Sequence, residues 1–308
     1  MTESLTEVLR DLDAKRAYVA ERLKSEQLPN RDQAADAVRE EIAALGLDRH
    51  VVALETSGYT VLTPEELEAG DLVERMNKAI DRVGTQRNPK DTDLQDELDG
   101  VLFHLVAEDP VFEEVLLQRK PLALLTYLLG HHAKLNQSTA LLKSKGAPAL
   151  AIHADAVGKF PLPWPETAQV ANVTWLLSDY TREGGCLCVV PGTHRMGNPP
   201  HHVPLECDDP SVVPIEAPAG SVVLWHGGLW HGGLPRTIDG ERRTLVLFYG
   251  RAYLEAQEPY KFTTTMEMLE RNPVRFAAMM GLTDQIPWGL RGPVAGVAAP
   301  VSGIDPFE

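Results

Sequence analysis

The sequence has few cysteines, no long apolar run and a shortage of positive charge. Three cysteines in 308 residues are too few for the disulfide framework of a small secreted protein. No run approaches the roughly 18 apolar residues that cross a bilayer, and the N-terminus lacks the apolar core of a secretory signal. These absences predict a cytoplasmic protein without a membrane partner.

The charge balance narrows the range of partners further. The chain carries 29 basic and 44 acidic residues, a formal net charge of −15. Such a chain repels phosphate backbones and anionic lipid, so nucleic acid is excluded as an expected partner. Hydrophobic residues make up 44% of the sequence, enough for the core of one large domain. We therefore predict a globular protein that acts on a small-molecule substrate, in an oligomeric state that the sequence does not determine.

The first half of the chain has the periodicity of helices. Apolar residues between Leu5 and Leu12 recur at the spacing of one helix face, and further helices are predicted over residues 30–45 and 109–129. The segment 50–62, HVVALETSGYTVL, is rich in β-branched residues and predicts a strand. The TPEE that follows predicts a helix start with Thr63 as its N-cap.

From Gly146 onward, short apolar runs alternate with turns rich in glycine, proline and charged residues. This pattern is typical of an antiparallel β-sandwich or barrel. The runs that predict strands are ALAIHAD, QVANVTWLLSD, CLCVVPG, SVVLWHG and RTLVLFYG. Cys186 and Cys188 alternate in one of them, and we expect buried thiols there. His194, in PGTHR, predicts a turn at a strand end, and the pair at 201–202 predicts a solvated loop.

Several histidines of the second half stand where a metal could bind. His153 and Asp155 lie two positions apart at a strand end, so both side chains point to the same side. The tetrapeptide WHGG occurs twice between residues 225 and 233. Its histidines, His226 and His231, are an odd number of positions apart, which puts them on opposite faces of a strand, and a single site would use one of them. Two histidines and a carboxylate around open positions are the ligands of non-haem Fe(II) in oxygen chemistry.

Two further pairs of residues at strand spacing are candidates for a site beside the metal. Arg242 and Thr244 share one strand face, and a guanidinium beside a hydroxyl can hold a carboxylate. Asn172 and Thr174 alternate with two apolar neighbours, so either they or those neighbours face the interior of the β core.

The sequence resembles the phytanoyl-CoA dioxygenase family of Fe(II)- and 2-oxoglutarate-dependent oxygenases. The similar segments occur in the family's order and cover roughly residues 48–251. They are GYTVLTPEEL, AEDPVFEEVL with LLTYLLG, HAD, NVTWLLSDYTREGGCLCVVPGTHRMG, GSVVLWHGGLWHGG and GERRTLVLFYG.

The resemblance implies a mostly β core with flanking α-helices, a double-stranded β-helix of the jelly-roll, cupin-like type. The pattern along the chain, with helices first and a β core second, predicts a single globular unit. Its parts are a helical extension over 1–47, an oxygenase domain over 48–255, and a C-terminal helix and tail over 256–308, and the first and last of these lie outside the resemblance.

In this family an arginine eleven positions after the second metal-binding histidine binds the far carboxylate of 2-oxoglutarate. Counted from His231 that residue is Arg242, whereas counted from His226 it is Thr237, which carries no charge. The resemblance therefore selects His231. The implied site consists of the Fe(II) ligands His153, Asp155 and His231 and the 2-oxoglutarate-binding residues Arg242, Thr244 and Thr174.

The implied reaction uses O2 and 2-oxoglutarate to hydroxylate an unactivated C–H bond, with release of succinate and CO2. Asp155 fills the position that a halide would need, so hydroxylation, desaturation or cyclisation is favoured over halogenation. We expect a small, fairly apolar metabolite, because the acidic chain has no evident basic cluster for the phosphates of an acyl-CoA. The alternative is a cupin-like metal-dependent isomerase, or an oxygenase without 2-oxoglutarate, in which Arg242 forms a structural ion pair.

Overall fold

The computed structural model describes residues 5–26, 28–29, 31–87, 100–200 and 208–283. The predicted tail beyond residue 283 and the histidine pair at 201–202 lie outside these residues.

The described β-strands form two antiparallel sheets that pack face to face. The strands are β1 Tyr59–Leu62, β2 Val101–Leu102, β3 Lys134–Ser144, β4 Leu150–His153, β5 Val170–Leu176, β6 Leu187–Val190, β7 Val213–Pro214, β8 Val222–His226, β9 Trp230–Gly233 and β10 Glu241–Gly250. The larger sheet has the order β1-β8-β5-β10-β3-β2, and the smaller has the order β4-β9-β6-β7. Apolar side chains of both sheets, such as Val189 and Val223, meet between them. This jelly roll confirms the predicted fold class.

Helices cover the outer face of the larger sheet. They are α1 Leu5–Arg22, α2 Arg31–Ala44, α3 Asp48–Ser57, α4 Pro64–Leu67, α5 Leu72–Gln86, α6 Pro110–Leu116, α7 Arg119–Leu129, α8 Tyr260–Thr263, α9 Met266–Arg271 and α10 Val274–Met279. Val173 and Trp175 of β5 point outward and join the core that these helices form. Burial of each such side chain contributes roughly 1.5–3 kcal/mol. None of the described helices has the length and apolar character needed to cross a bilayer.

The strand predicted over residues 50–62 is wrong in its first part, where α3 forms instead. Leu47, His50 and Leu54 are all buried, and their spacing of three and four residues is that of a helix face. The strand is confined to Tyr59–Leu62. The predicted cap after it is confirmed, because the Thr63 hydroxyl and backbone N–H exchange hydrogen bonds with Glu66.

Two other boundaries also differ from the predictions. The β region begins well before Gly146, because β3 already spans Lys134–Ser144. Buried polar residues on this strand, among them Asn136 and Ser138, hide the alternation that marks a strand in the sequence. The single helix predicted over 109–129 is two helices, α6 and α7, separated by a break after Leu116. The helix predicted over 30–45 is confirmed as α2.

We predict that two glycines with left-handed backbones differ sharply in their tolerance of alanine. Gly46, at φ +67°, has no heavy atom within 4 Å of a built Cβ, whereas Gly58, at φ +82°, would place Cβ 2.5 Å from Nδ1 of His194. Gly46→Ala should cost about 1–2 kcal/mol for the backbone alone. Gly58→Ala should cost roughly 1–3 kcal/mol more because of overpacking. Urea unfolding of both variants measures the difference, and equal losses would contradict the packing shown here.

Candidate metal centre

Three side chains with metal-binding atoms meet at one end of the barrel. His153 ends β4 and lies directly opposite His231 of β9 in the smaller sheet, and Asp155 follows two residues after His153. Nε2 of His153 and Nε2 of His231 lie 3.9 and 3.6 Å from the two carboxylate oxygens of Asp155. The ligand atoms all lie within 4.8 Å of one another. The structure thus brings together the three residues that the sequence suggested as metal ligands.

Both imidazole rings are oriented by backbone carbonyls. Nδ1 of His153 lies 2.9 Å from the carbonyl oxygen of Ala151, and Nδ1 of His231 lies 3.0 Å from that of Leu229. A carbonyl only accepts, so each Nδ1 carries the proton and each Nε2 keeps its lone pair. Burial lowers the pKa of His231, and nearby His153 adds to this effect, against the opposing influence of Asp155. A neutral imidazole with a free Nε2 is the form that binds a metal ion.

The larger sheet holds the carboxylate of Asp155 in position. Its Oδ2 atom accepts hydrogen bonds from Nδ2 of Asn172 at 2.6 Å and from Nε1 of Trp225 at 3.2 Å. Asn172 therefore faces the barrel interior, and Thr174, two residues further along β5, does so as well. The sequence pattern did not indicate a role at the metal site for Asn172 or Trp225. Strand alternation places each of them on one of two faces, and the register between β5 and β8, which pairs Asn172 with Trp225, puts both beside Asp155.

The WHGG repeat is divided between two strands by a turn. His226 ends β8 in the larger sheet, and His231 lies on β9 in the smaller sheet. The premise of a single strand with the histidines on opposite faces is therefore wrong, although the selection of one histidine agrees with the geometry. Only His231 of the pair belongs to the group that could hold a metal ion. The ring of His226 instead accepts a hydrogen bond at Nδ1 from the backbone N–H of Gly228, at 2.9 Å.

Arg242, Thr244 and Thr174 line the interior beyond this group. The buried guanidinium of Arg242 donates to the carbonyl of Gly185 at 2.7 Å and lies 5.1 Å from the ring centre of Tyr180. The Tyr180 hydroxyl in turn hydrogen-bonds Oγ1 of Thr244. Two polar atoms here are buried and have no hydrogen-bond partner among the described residues, Nε of Arg242 and Oγ1 of Thr174.

Lys143 is a residue of this region that the sequence did not indicate. It lies directly opposite Arg242 in the pairing of β3 with β10, and its Nζ donates to the carbonyl of Leu234 at 2.6 Å. The two cations therefore share one face of the sheet.

Facing antiparallel sheets that carry a His-Asp-His group are typical of the non-haem iron oxygenases. The phytanoyl-CoA dioxygenase (PhyH) family model matches residues 54–244, and the chain belongs to this family. His153, Asp155 and His231 fit the iron-binding triad of the class.

Individual proteins agree with this assignment. Dioxygenase af480 of Aspergillus fumigatus is 29% identical over 151 residues, which cover 49% of this chain and only 48% of that relative. HygX of Streptomyces hygroscopicus, solved with nickel and 2-oxoglutarate, has a TM-score of 0.55 at 20% identity and covers 68% of this chain and 91% of its own. SnoN, a non-heme alpha ketoglutarate dependent epimerase from nogalamycin biosynthesis, has a TM-score of 0.50 at 20% identity over 68% and 84%. At these identities the structural likeness shows a shared fold.

We predict that His226 makes the protein less stable in mild acid. Burial, with the charges of His194 and Arg251, lowers the pKa of His226 from 6.5 to about 4. The unfolded chain therefore binds a proton near pH 6.5 that the folded chain does not, and stability falls as the pH drops below that value. Between pH 7 and pH 5 the His226→Gln variant should lose about 2 kcal/mol less unfolding free energy than the wild type. Urea unfolding at both pH values measures this, and identical losses would show that His226 titrates normally.

Proposed function

We propose that this chain is an Fe(II)- and 2-oxoglutarate-dependent hydroxylase of a small, fairly apolar metabolite. In this proposal His153, Asp155 and His231 bind the iron, and Arg242 binds the distal carboxylate of 2-oxoglutarate. The observation that carries the proposal is the unpartnered Nε of Arg242 inside the barrel. A buried donor without an acceptor costs about 1–3 kcal/mol, and a carboxylate is the acceptor that suits a guanidinium.

The neighbours of Arg242 support the same ligand. Thr244 and Lys143 offer a hydroxyl and a second cation, and the unpartnered Oγ1 of Thr174 offers another donor. Leu234, whose carbonyl Lys143 contacts, lies three residues beyond His231, roughly 10 Å along an extended chain. A dicarboxylate that extends from the metal group toward these cations would bind the metal with one end and the guanidinium with the other. Among the described residues Arg242 forms no ion pair with a carboxylate, which speaks against the alternative in which it has a purely structural partner.

In the proposed reaction the protein orients the metal ligands and excludes water. Iron with 2-oxoglutarate and O2 supplies the oxidising equivalents for attack on a C–H bond, with release of succinate and CO2. Asn172 and Trp225 keep Asp155 aimed at the metal position, and backbone carbonyls hold both imidazoles with Nε2 free. Trp164 is nearly buried beside the site and packs in a small apolar cluster, which excludes water from that side.

Segments near the metal group expose large apolar side chains, in keeping with an apolar substrate. Val157 and Leu162, on the segment after Asp155, expose large apolar side chains, as does Met196 on the facing segment. The two segments are joined by a hydrogen bond from the backbone N–H of Trp164 to the carbonyl of Gly197, 2.7 Å long. Exposed large apolar side chains near a site are typical of a ligand-binding surface.

We predict that Asn172→Leu weakens metal binding without unfolding the protein. The substitution removes the donor at 2.6 Å from Asp155, and loss of such an orienting contact typically reduces metal affinity about 10- to 100-fold. Calorimetric titration of metal-free protein with Co²⁺ gives the affinity. Thr139→Val, which removes another buried polar group of the larger sheet, is the control and should bind Co²⁺ like the wild type. Equal affinities for all three proteins would mean that Asp155 needs no support or is no ligand.

The proposed function is tested by adding 2-oxoglutarate to the Fe(II)-loaded protein without oxygen and following the weak visible charge-transfer band. We expect Arg242→Gln to raise the 2-oxoglutarate concentration needed for half of the band at least tenfold, while iron still binds. Arg243→Gln is a matched control, because Arg243 instead pairs with Asp81 and Glu241. The opposite pattern, with Arg243 required and Arg242 dispensable, would refute the assignment.

The same preparations are then exposed to O2 with a panel of apolar metabolites and acyl-CoAs, and succinate is measured. His231→Gln should abolish iron-dependent succinate formation. The product mass distinguishes outcomes: one added oxygen atom indicates hydroxylation, loss of two hydrogens indicates desaturation, and an unchanged mass indicates epimerisation. Succinate formation that needs no iron would contradict the proposal altogether.

A further inference from the structure

A second cleft lies behind the turn that joins β8 to β9, outside the barrel. Its volume is about 380 Å³, within the range of about 300–1,000 Å³ that small-molecule sites occupy. Its lining comes from α3 and α7, from the segments 166–168 and 194–195, and from His226 and Arg251. Its lining includes none of His153, Asp155 and His231, so it is distinct from the metal centre.

Strand β8 separates this cleft from the metal centre. Trp225 points into the barrel, where its indole N–H reaches Asp155. The next residue, His226, therefore points to the opposite side of the strand. Its partner across the sheet is Ala171 of β5, which packs in the core shared with the helices. His226 lines the cleft and thus belongs to the outer side.

Two buried imidazoles line the cleft. His226 is 8% exposed and His194 is 7% exposed, and their ring centres are 5.3 Å apart. Since Nδ1 of His226 accepts from Gly228, its Nε2 carries the proton and is a donor. That Nε2 forms no hydrogen bond of normal geometry among the described residues, although the backbone carbonyl of Glu166 is near enough to raise the pKa of His226 against the lowering by burial. A buried donor of this kind normally has an acceptor.

The cleft also contains two arginines whose described hydrogen bonds go to carbonyl oxygens. Arg251 donates to Ala168 at 2.7 Å and to Leu128 at 3.1 Å, and Arg195 donates to the carbonyl of Glu55. Burial lowers the pKa of Arg251, as expected for a guanidinium without a counter-ion.

Two carboxylates line the same cleft and limit the charge of its ligand. The Glu55 carboxylate accepts from the Tyr127 hydroxyl at 2.8 Å, and Glu166 is exposed to solvent. Both would repel a multiply charged anion. Leu54 and Leu128 add an apolar wall, so a single negative group on an apolar body matches the lining.

We propose that this cleft binds the carboxylate of a small, singly charged molecule with an apolar body. The N–H at Nε2 of His226 and the guanidinium of Arg251 donate to the carboxylate, and Leu54 and Leu128 pack against the body. The site operates without the metal centre and does not depend on the function proposed above.

The test uses metal-free wild-type protein and benzoate as the probe, with binding measured by calorimetry. We expect one benzoate per chain, and at least tenfold weaker binding of benzamide, which lacks the charge, and of inorganic phosphate, which lacks the apolar body. Arg251→Gln and His226→Gln should each raise the benzoate Kd at least tenfold. Arg82→Gln, which removes an arginine on α5 that pairs with Asp109, and Arg242→Gln should leave the Kd unchanged.

A second measurement uses the wild-type protein, so that it does not depend on variants that fail to fold. In long-range ¹H–¹⁵N spectra of the imidazoles, benzoate should shift the Nε2 signal of His226. Absence of both heat and shift would mean that the cleft holds water only, and the proposal would be overturned. Loss of benzoate binding in Arg242→Gln, with Arg251→Gln unaffected, would place the probe in the barrel and overturn it equally.

Discussion

The metal centre depends on one pairing, in which His153 of β4 lies directly opposite His231 of β9. Residues opposite each other on antiparallel strands bring their Cβ atoms within about 5 Å, and here the ring centres lie 4.3 Å apart. A shift of register by one residue would turn every side chain of β9 to the other face. The two imidazoles would then point to opposite sides, and the site would not exist.

Asp155 connects this pairing to the rest of the fold. It follows β4 in the smaller sheet, yet its carboxylate accepts hydrogen bonds from Asn172 and Trp225 of the larger sheet. The third ligand atom is therefore fixed only when the two sheets have packed against each other. The same packing buries the carboxylate's donors and lowers the pKa of His231. The metal site therefore forms together with the barrel. The smaller sheet carries the ligands, and the larger sheet holds Asp155 in position.

The sequence was informative where chemistry is local and uninformative where it depends on register. The spacing of His153 and Asp155 predicted two members of the metal group, and the resemblance, through the spacing from His231 to Arg242, selected the third; the structure brings His153, Asp155 and His231 together. Lys143 escaped notice because its position beside Arg242 arises from the pairing of β3 with β10, and β3 itself was hidden by its buried polar residues. Residues 50–57 were misread because β-branched composition outweighed the helical spacing of the buried positions.

The WHGG repeat shows how identical residues acquire different roles from their surroundings. A Cβ on Gly227 would lie 2.3 Å from the side chain of Val170, and a Cβ on Gly232 would lie 2.6 Å from the carbonyl oxygen of Leu150. Each glycine is thus required by a different close contact, one with the larger sheet and one with the smaller. The turn between them carries the chain from one sheet to the other. Strand β8 has Trp225 on its inner side and His226 on its outer side, so its backbone separates the metal centre from the outer cleft. A displacement of that strand would therefore move residues of both sites.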